Sequence, residues 1–218
     1  AQSIARYTYD AKGNRVGKSA PGLNRQSDQL TAYVIDGTFE YAQTVQESLG
    51  EGANAVISNY VWGAGLIEQV RDGQATYFHA DGLGSVKALS DATGTARDTY
   101  EYDAFGGLEI HAGSTENRYR YTGEYFDEAI GLQYNRARWY DVSLGRFTAI
   151  DRLWGRQADP LSLHRYQYAH LDPVAKSDPS GLVTLIGLNT NVSVSAIGAS
   201  ATQNLARVTI NNIGGQAF

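Results

Sequence analysis

The groups of this chain that could do chemistry are its four histidines, its serines and its 23 acidic residues, since cysteine is absent. The missing thiols remove disulfides and Cys-ligated metals together. His111, His164 and His170 lack the His-x-x-x-His spacing with a carboxylate partner that would gather ligands round one ion. His79 stands where it would pack and bond a turn, so no metal and no cofactor is expected. Ser85, Ser143 and Ser180 have no Gly-x-Ser-x-Gly setting, which argues against a serine hydrolase. Gly82-Leu83-Gly84-Ser85 lacks the closing Lys-Ser/Thr of a phosphate loop. The carboxylates have plain local readings. Asp178, before Pro179, opens a turn through its side chain, and Asp151 caps a short helix beginning near Arg152. Arg136 and Arg138 pair most simply with Asp141 on a strand face; the alternative is that they bind the segment that closes the domain.

The elements that must position these groups are strands. A unit of aromatic, any residue, Tyr, Asp, two residues and Gly occurs as Tyr7-Thr8-Tyr9-Asp10-Ala11-Lys12-Gly13 and again as Tyr100-Glu101-Tyr102-Asp103-Ala104-Phe105-Gly106. Alternating aromatics put rings on one face of a strand. The Asp bonds backbone N–H groups ahead of it, and the Gly takes the positive φ that a tight turn needs. Looser copies lie between. Strands are expected around Tyr60, Leu66 to Val70, Ala75 to His79 and Ser85 to Ser90, with turns at Arg71-Asp72-Gly73 and Asp91-Ala92-Thr93-Gly94. Serial hairpins of this kind form a curled or spiralling sheet. Residues 18–30 and 47–54 read as loops, and Gln157 to Tyr168 as the one short helix.

The chain carries 15 Tyr, 24 Gly and a hydrophobic fraction of 42%, a composition of short strands and many turns with enough apolar matter for a core. A net charge of −5 argues against nucleic acid as the main partner, because neutralising phosphates takes clustered Lys and Arg. No stretch of about 18 apolar residues is present to span a membrane. Methionine is absent throughout, which fits a piece of a longer polypeptide. Beyond Leu182 the composition changes. Residues 183–218 hold one charged residue, Arg207, and Val192, Val194, Ile197, Val208 and Ile210 suggest two or three short strands.

Five segments in fixed order carry a family resemblance. They are His79 to Val86, Tyr100 to Gly106, Tyr119 to Asp127 with Gly131 to Asp141, Leu144 to Asp151, and Tyr166 to Val174 closing in Asp178-Pro179-Ser180-Gly181-Leu182. This succession resembles the Rhs/YD-repeat proteins, and within them the C-terminal Rhs repeat-associated core found in bacterial polymorphic toxins and Tc-toxin cocoons. It covers about residues 1–182 and is densest from 77 to 182. The resemblance implies a mainly β fold: YD-repeat hairpins at 1–76 form part of a spiralling shell, a core plug at 77–182 closes it, and 183–218 is a variable β-rich segment that starts a toxin or adds a strand.

The resemblance also implies an activity. Proteins of this kind cut themselves by aspartyl proteolysis after the Leu of the closing motif, which puts the scissile bond at Leu182–Val183 and the carboxyl pair at Asp151 and Asp178. In such a pair an ionised carboxylate draws a proton from water while a neutral one donates to the carbonyl oxygen. Two departures stand out. The family often has Pro after the first Asp, where this chain has Arg152, and an Arg before it, where this chain has Ile150. Either Arg152 takes over that electrostatic role, with Arg136 and Arg138 in support, or the site is impaired and the chain is a structural shell or adhesion module. The implied partners are the remainder of the shell, the enclosed toxin, and a type VI or Tc delivery machine. The implied location is that of a secreted or delivered effector made in the bacterial cytoplasm. A carbohydrate-binding module is the third possibility, and it would need several coplanar exposed rings.

Overall fold

The computed structural model describes residues 5–21, 28–155 and 157–186. The candidate strands around Val192 to Ile210 lie outside the described residues. Ten strands form one antiparallel sheet in strict chain order: β1 Arg6–Tyr9, β2 Arg15–Pro21, β3 Asp28–Asp36, β4 Gln43–Leu49, β5 Val56–Trp62, β6 Leu66–Arg71, β7 Gln74–Ala80, β8 Val86–Ser90, β9 Ala96–Tyr102 and β10 Leu108–Ala112. A four-stranded antiparallel sheet follows, of β11 Tyr125–Asp127, β12 Leu132–Asn135, β13 Arg138–Asp141 and β14 Arg146–Phe147. The short pair β15 Lys176–Ser177 and β16 Leu185–Ile186 ends the described chain. Among the described residues no helix is long and apolar enough to cross a membrane.

One local device makes the hairpins. Asp10, Asp81, Asp91 and Asp103 each use Oδ1 to accept the backbone N–H two and four residues ahead, at 2.8–3.1 Å. The glycine three residues on, at 13, 84, 94 and 106, has φ between 81° and 89°. Side chain and glycine together close each turn, and the strand order follows the sequence because every turn is local. A Cβ on Gly94 would meet nothing within 4 Å. Gly94→Ala is therefore expected to cost only the strain of a left-handed non-glycine, about 1–2 kcal/mol, measured as a shift in denaturation midpoint at unchanged slope.

Sequence and structure part in two respects. The loops expected at 18–30 and 47–54 are shorter, because ladder pairing carries β2 to Pro21, starts β3 at Asp28 and carries β4 to Leu49. The segment Gln157 to Tyr168 is not a helix. It holds a single 3₁₀ turn, Pro160–Leu163, after which the backbone extends so that Gln167 bridges to Arg146. Tyr168 is thereby drawn fully inside, stacked on Tyr140 at 4.1 Å.

Tyrosines supply the packing between the two sheets. Tyr33 and Tyr60 from the large sheet meet Tyr119 and Tyr125 in edge-to-face contacts at 5.0–5.9 Å, the geometry that ring quadrupoles favour. Arg15 is buried beneath the rings of Tyr33, Tyr125 and Tyr134, 4.1–4.6 Å from their centroids. Asp127 balances it, taking Lys18 Nζ at 2.6 Å, Arg15 Nη1 at 3.7 Å and a hydrogen bond from Tyr7 Oη at 3.0 Å. A second cluster of Tyr121, Tyr140, Phe147 and Tyr168 lies under the small sheet and backs the site described next.

Candidate active site

The tight turn between β12 and β13 is the positioning element. Asn135 pairs with Arg138 across it, and Arg136 takes φ 53° to make the corner. Its four residues hold four successive carbonyls of the segment 178–181. Asn135 Nδ2 donates to Asp178 O at 2.6 Å, Arg136 Nη1 to Pro179 O at 2.6 Å, Ala137 N to Ser180 O at 3.2 Å, and Arg138 Nε to Gly181 O. The next carbonyl, that of Leu182, accepts no hydrogen bond among the described residues.

The clamp is itself braced. Arg136 is held by Glu124 at 2.9 Å and by the β3–β4 connection, through Ala42 O at 3.2 Å and Gln43 Oε1 at 3.1 Å. Gln133 Nε2 donates to Asn135 Oδ1 at 3.0 Å, and both side chains are wholly buried. The sequence therefore commits two buried amides and two arginines to holding the backbone of four residues, 178–181.

Asp178 is buried and folds over its own downstream chain. Its Oδ1 accepts from Ser180 Oγ at 2.9 Å, from Leu182 N at 3.1 Å and from Val183 N at 3.1 Å. The turn-opening role expected of Asp178 and its nearness to the Leu182–Val183 peptide are thus one geometry. Asp151 comes from the other side, with Oδ2 2.8 Å from Arg138 Nη2, while Asp178 Oδ2 lies 3.4 Å from the same nitrogen. Two oxygens touching one nitrogen at those distances lie within about 6 Å of each other. Burial pushes the Asp178 carboxyl above the ordinary range, against the pull of Ser180, Arg138 and the two N–H groups. Burial likewise lowers Arg138, against both carboxylates.

Arg152 is not part of this arrangement. It is exposed and has no ion pair among the described residues, because Asp151 is fixed from elsewhere: its N–H donates to Arg165 O at 2.9 Å, and Arg165 Nη2 donates back to its carbonyl. Arg138, from the neighbouring strand, stands at the carboxyls instead. Asp151 caps no helix; its Oδ1 takes Leu153 N at 2.8 Å in a bend. Nor does Asp141 pair with Arg136 or Arg138. It accepts from Ser143 and Leu144 in a turn of its own. Both arginines instead bind the closing segment. Asn135, Ala137 and Ser180 went unrecognised in the sequence; the only trace is an Asn-x-x-Arg at a strand end, which has no meaning until the segment 43 residues on is laid against it.

A cavity of about 270 Å³ opens beside these groups, its wall including Arg138, Asp151, His170, Asp178, Leu182 and Val183. It is large enough for several waters. His170, which lines it, is the middle of three consecutive residues, Ala169 to Leu171, with positive φ of 50–58°, a costly conformation for residues with a Cβ. Lys176↔Ile186 and Ser177↔Leu185 pair across β15 and β16, so that residues 178–184 form a closed loop. Among the described residues no group of three or more His, Asp or Glu is gathered as metal ligands would be.

A family model for the teneurin YD-shell matches residues 55–174, more than half of the chain. The chain is 34% identical over 183 residues to the tRNA nuclease WapA of Bacillus subtilis, an alignment covering 82% of this chain and 7% of that protein. It is 32% identical over 120 residues to the toxin protein Tse5 of Pseudomonas aeruginosa, covering 55% of this chain and 9% of Tse5. The crystal structure of TcdB2-TccC3 superposes with a TM-score of 0.65 at 22% identity, over 82% of this chain and 9% of that one. The chain thus spans less than a tenth of the length of these proteins. Strand order, Asp–Gly turns and the family match converge, and the chain belongs to the teneurin YD-shell family, as an Rhs/YD-repeat shell protein.

Proposed function

We propose that this chain is the C-terminal core of an Rhs-type toxin-encapsulating shell that cuts its own backbone once, between Leu182 and Val183. The observation that carries this is the carbonyl register. Residues 135–138 hold the carbonyls of 178–181 one for one, and the carbonyl of Leu182 is the first left without a donor among the described residues. The bond so singled out has Asp178 on its N–H and borders a cavity that Asp151 also lines.

In this mechanism Asp151, ion-paired with Arg138 at 2.8 Å, is the base that takes a proton from water as the oxygen adds to the Leu182 carbonyl carbon. Asp178, the carboxyl that burial favours in its neutral form, is the acid. Cleavage separates the core, 77–182, from the segment 183–218, which begins the toxin cargo, and the 1–76 hairpins continue the shell. The relatives named as toxins and nucleases support a toxin cargo. The remaining shell and a type VI or Tc machine are the partners of a secreted or delivered effector made in the bacterial cytoplasm. A second reading, a container or adhesion module with an inactive site, is favoured by one contact: Arg138 Nη2 stands between the two carboxyls where a dyad would share a proton.

Intact-mass spectrometry of the wild type, Asp151→Asn and Asp178→Asn decides between them. The wild type is expected to split after Leu182 and both variants to stay whole; an intact wild type would leave the inactive container. The wild-type rate, started by refolding at a series of pH values, should fall at high pH as Asp178 ionises and loses its proton. The raised Asp178 extends the alkaline limb above the ordinary carboxylate range. A rate unchanged from pH 4 to 9 would rule out this acid–base assignment.

A further inference from the structure

We propose that the Ser180 hydroxyl is a catalytic residue of this cut, relaying a proton from Asp178 to the leaving nitrogen of Val183. The inference rests on the self-cleavage reading and adds a group to it. Ser180 Oγ stands between acid and leaving group. It donates to Asp178 Oδ1 at 2.9 Å and accepts the N–H of Val183 at 2.9 Å and that of Leu182 at 3.0 Å. Its own backbone carbonyl is fixed by Ala137 N, so the side chain leaves from a clamped residue.

A peptide nitrogen is a poor leaving group until it is protonated, and in the resting amide it has no lone pair free for a proton. Once water has added to the Leu182 carbonyl carbon the nitrogen becomes pyramidal, and its lone pair needs a donor within hydrogen-bond reach. Asp178 Oδ1 lies 3.1 Å away, but it is engaged by three donors at once: Ser180 Oγ, Leu182 N and Val183 N. A hydroxyl both donates and accepts. Once the nitrogen is pyramidal the Ser180 hydroxyl turns its hydrogen from Asp178 to that lone pair, and passes it to nitrogen while Oγ receives the proton of the neutral Asp178, with no net charge on Oγ at either end. The carbon–nitrogen bond breaks, Val183 leaves as an amine and Leu182 as a carboxylic acid. Asp178 is left ionised, and the proton taken from water by Asp151 restores the balance. One water is consumed and nothing is oxidised or reduced.

The test follows cleavage of the full chain by intact mass after refolding, for the wild type, Ser180→Ala, Ser180→Thr and Asp178→Asn, with the wild type also run in mixtures of light and heavy water. Ser180→Ala is expected to cut about a hundredfold more slowly, Ser180→Thr within a few-fold of the wild type, and the wild-type rate to curve with deuterium fraction as two protons move together. A structural role alone would slow Ser180→Ala without that curvature. If the wild type cuts, Asp178→Asn does not, and Ser180→Ala matches the wild type, the relay falls and self-cleavage stands. If the wild type never cuts, both fall. Should Ser180→Ala fail to fold, the isotope dependence decides, since a straight line for the wild type overturns the relay.

Discussion

Gly181→Ala should leave the shell folded and its backbone uncut, with cleavage reduced at least a hundredfold. Gly181 has φ 69°, and a Cβ built on it would press into the carbonyl oxygen of Asn135 and lie 3.0 Å from Arg138 N. Those are backbone atoms of the clamp turn, so no rotamer relieves the clash. Residue 181 must lift away, which breaks its carbonyl's bond to Arg138 Nε and displaces the bond that follows. A displacement of about 1 Å costs a reacting group about a hundredfold. The remaining contacts of Arg138, to Arg165 O, Asp151 and Asp178, do not pass through residue 181, so the fold should survive. Intact mass beside a thermal melt separates the two quantities. Wild-type cutting by Gly181→Ala would mean that the clamp does not set which bond is opened.

The largest loss of stability is expected from Asp127→Ala. Its side chain is fully buried and answers Lys18, Arg15 and Tyr7 from two strands of the large sheet, while sitting on the small one. Removing it strands Arg15, whose guanidinium lies among aromatic rings with two nitrogens that have no hydrogen-bond partner among the described residues. Leaving one member of a buried pair uncompensated costs about 3–5 kcal/mol, a large share of the roughly 5–15 kcal/mol that holds a domain together. Chemical denaturation should register the whole drop. Adding Arg15→Met should recover much of it, because an apolar pair of similar volume needs no solvation. Equal instability of the single and double variants would argue that Arg15 is not the cost.

What could be read in the sequence followed the range of the interactions. The Asp-x-x-Gly turns are made by side chains bonding two and four residues ahead, so the sheet in chain order is legible from Asp10, Asp91 and Asp103 alone. Tyr168 shows the opposite case. A polar stretch around Gln157 looks helical until the core pulls Tyr168 beneath Tyr140, and local propensity yields to packing. Asp151 and Asp178 came through the family resemblance and not through any pattern of their own. Arg152, adjacent to Asp151 in sequence, drew the electrostatic role that Arg138 occupies in space. Sequence neighbours on a bend point apart, whereas β12 and β13 deliver a side chain from 40 residues before Asp178 into contact with it.

The two rungs between β15 and β16 straddle the Leu182–Val183 bond. Opening that bond would leave a nicked hairpin whose two new ends are still tethered by pairing on the far side. Each rung contributes a net of about 1 kcal/mol per hydrogen bond, a grip that thermal motion loosens readily. Chemistry would then make departure permissible without causing it. The moment of departure would be set by whatever else restrains the downstream polypeptide, so that a mechanical pull or a change in that polypeptide's own folding becomes the trigger, and the cut serves as the safety catch.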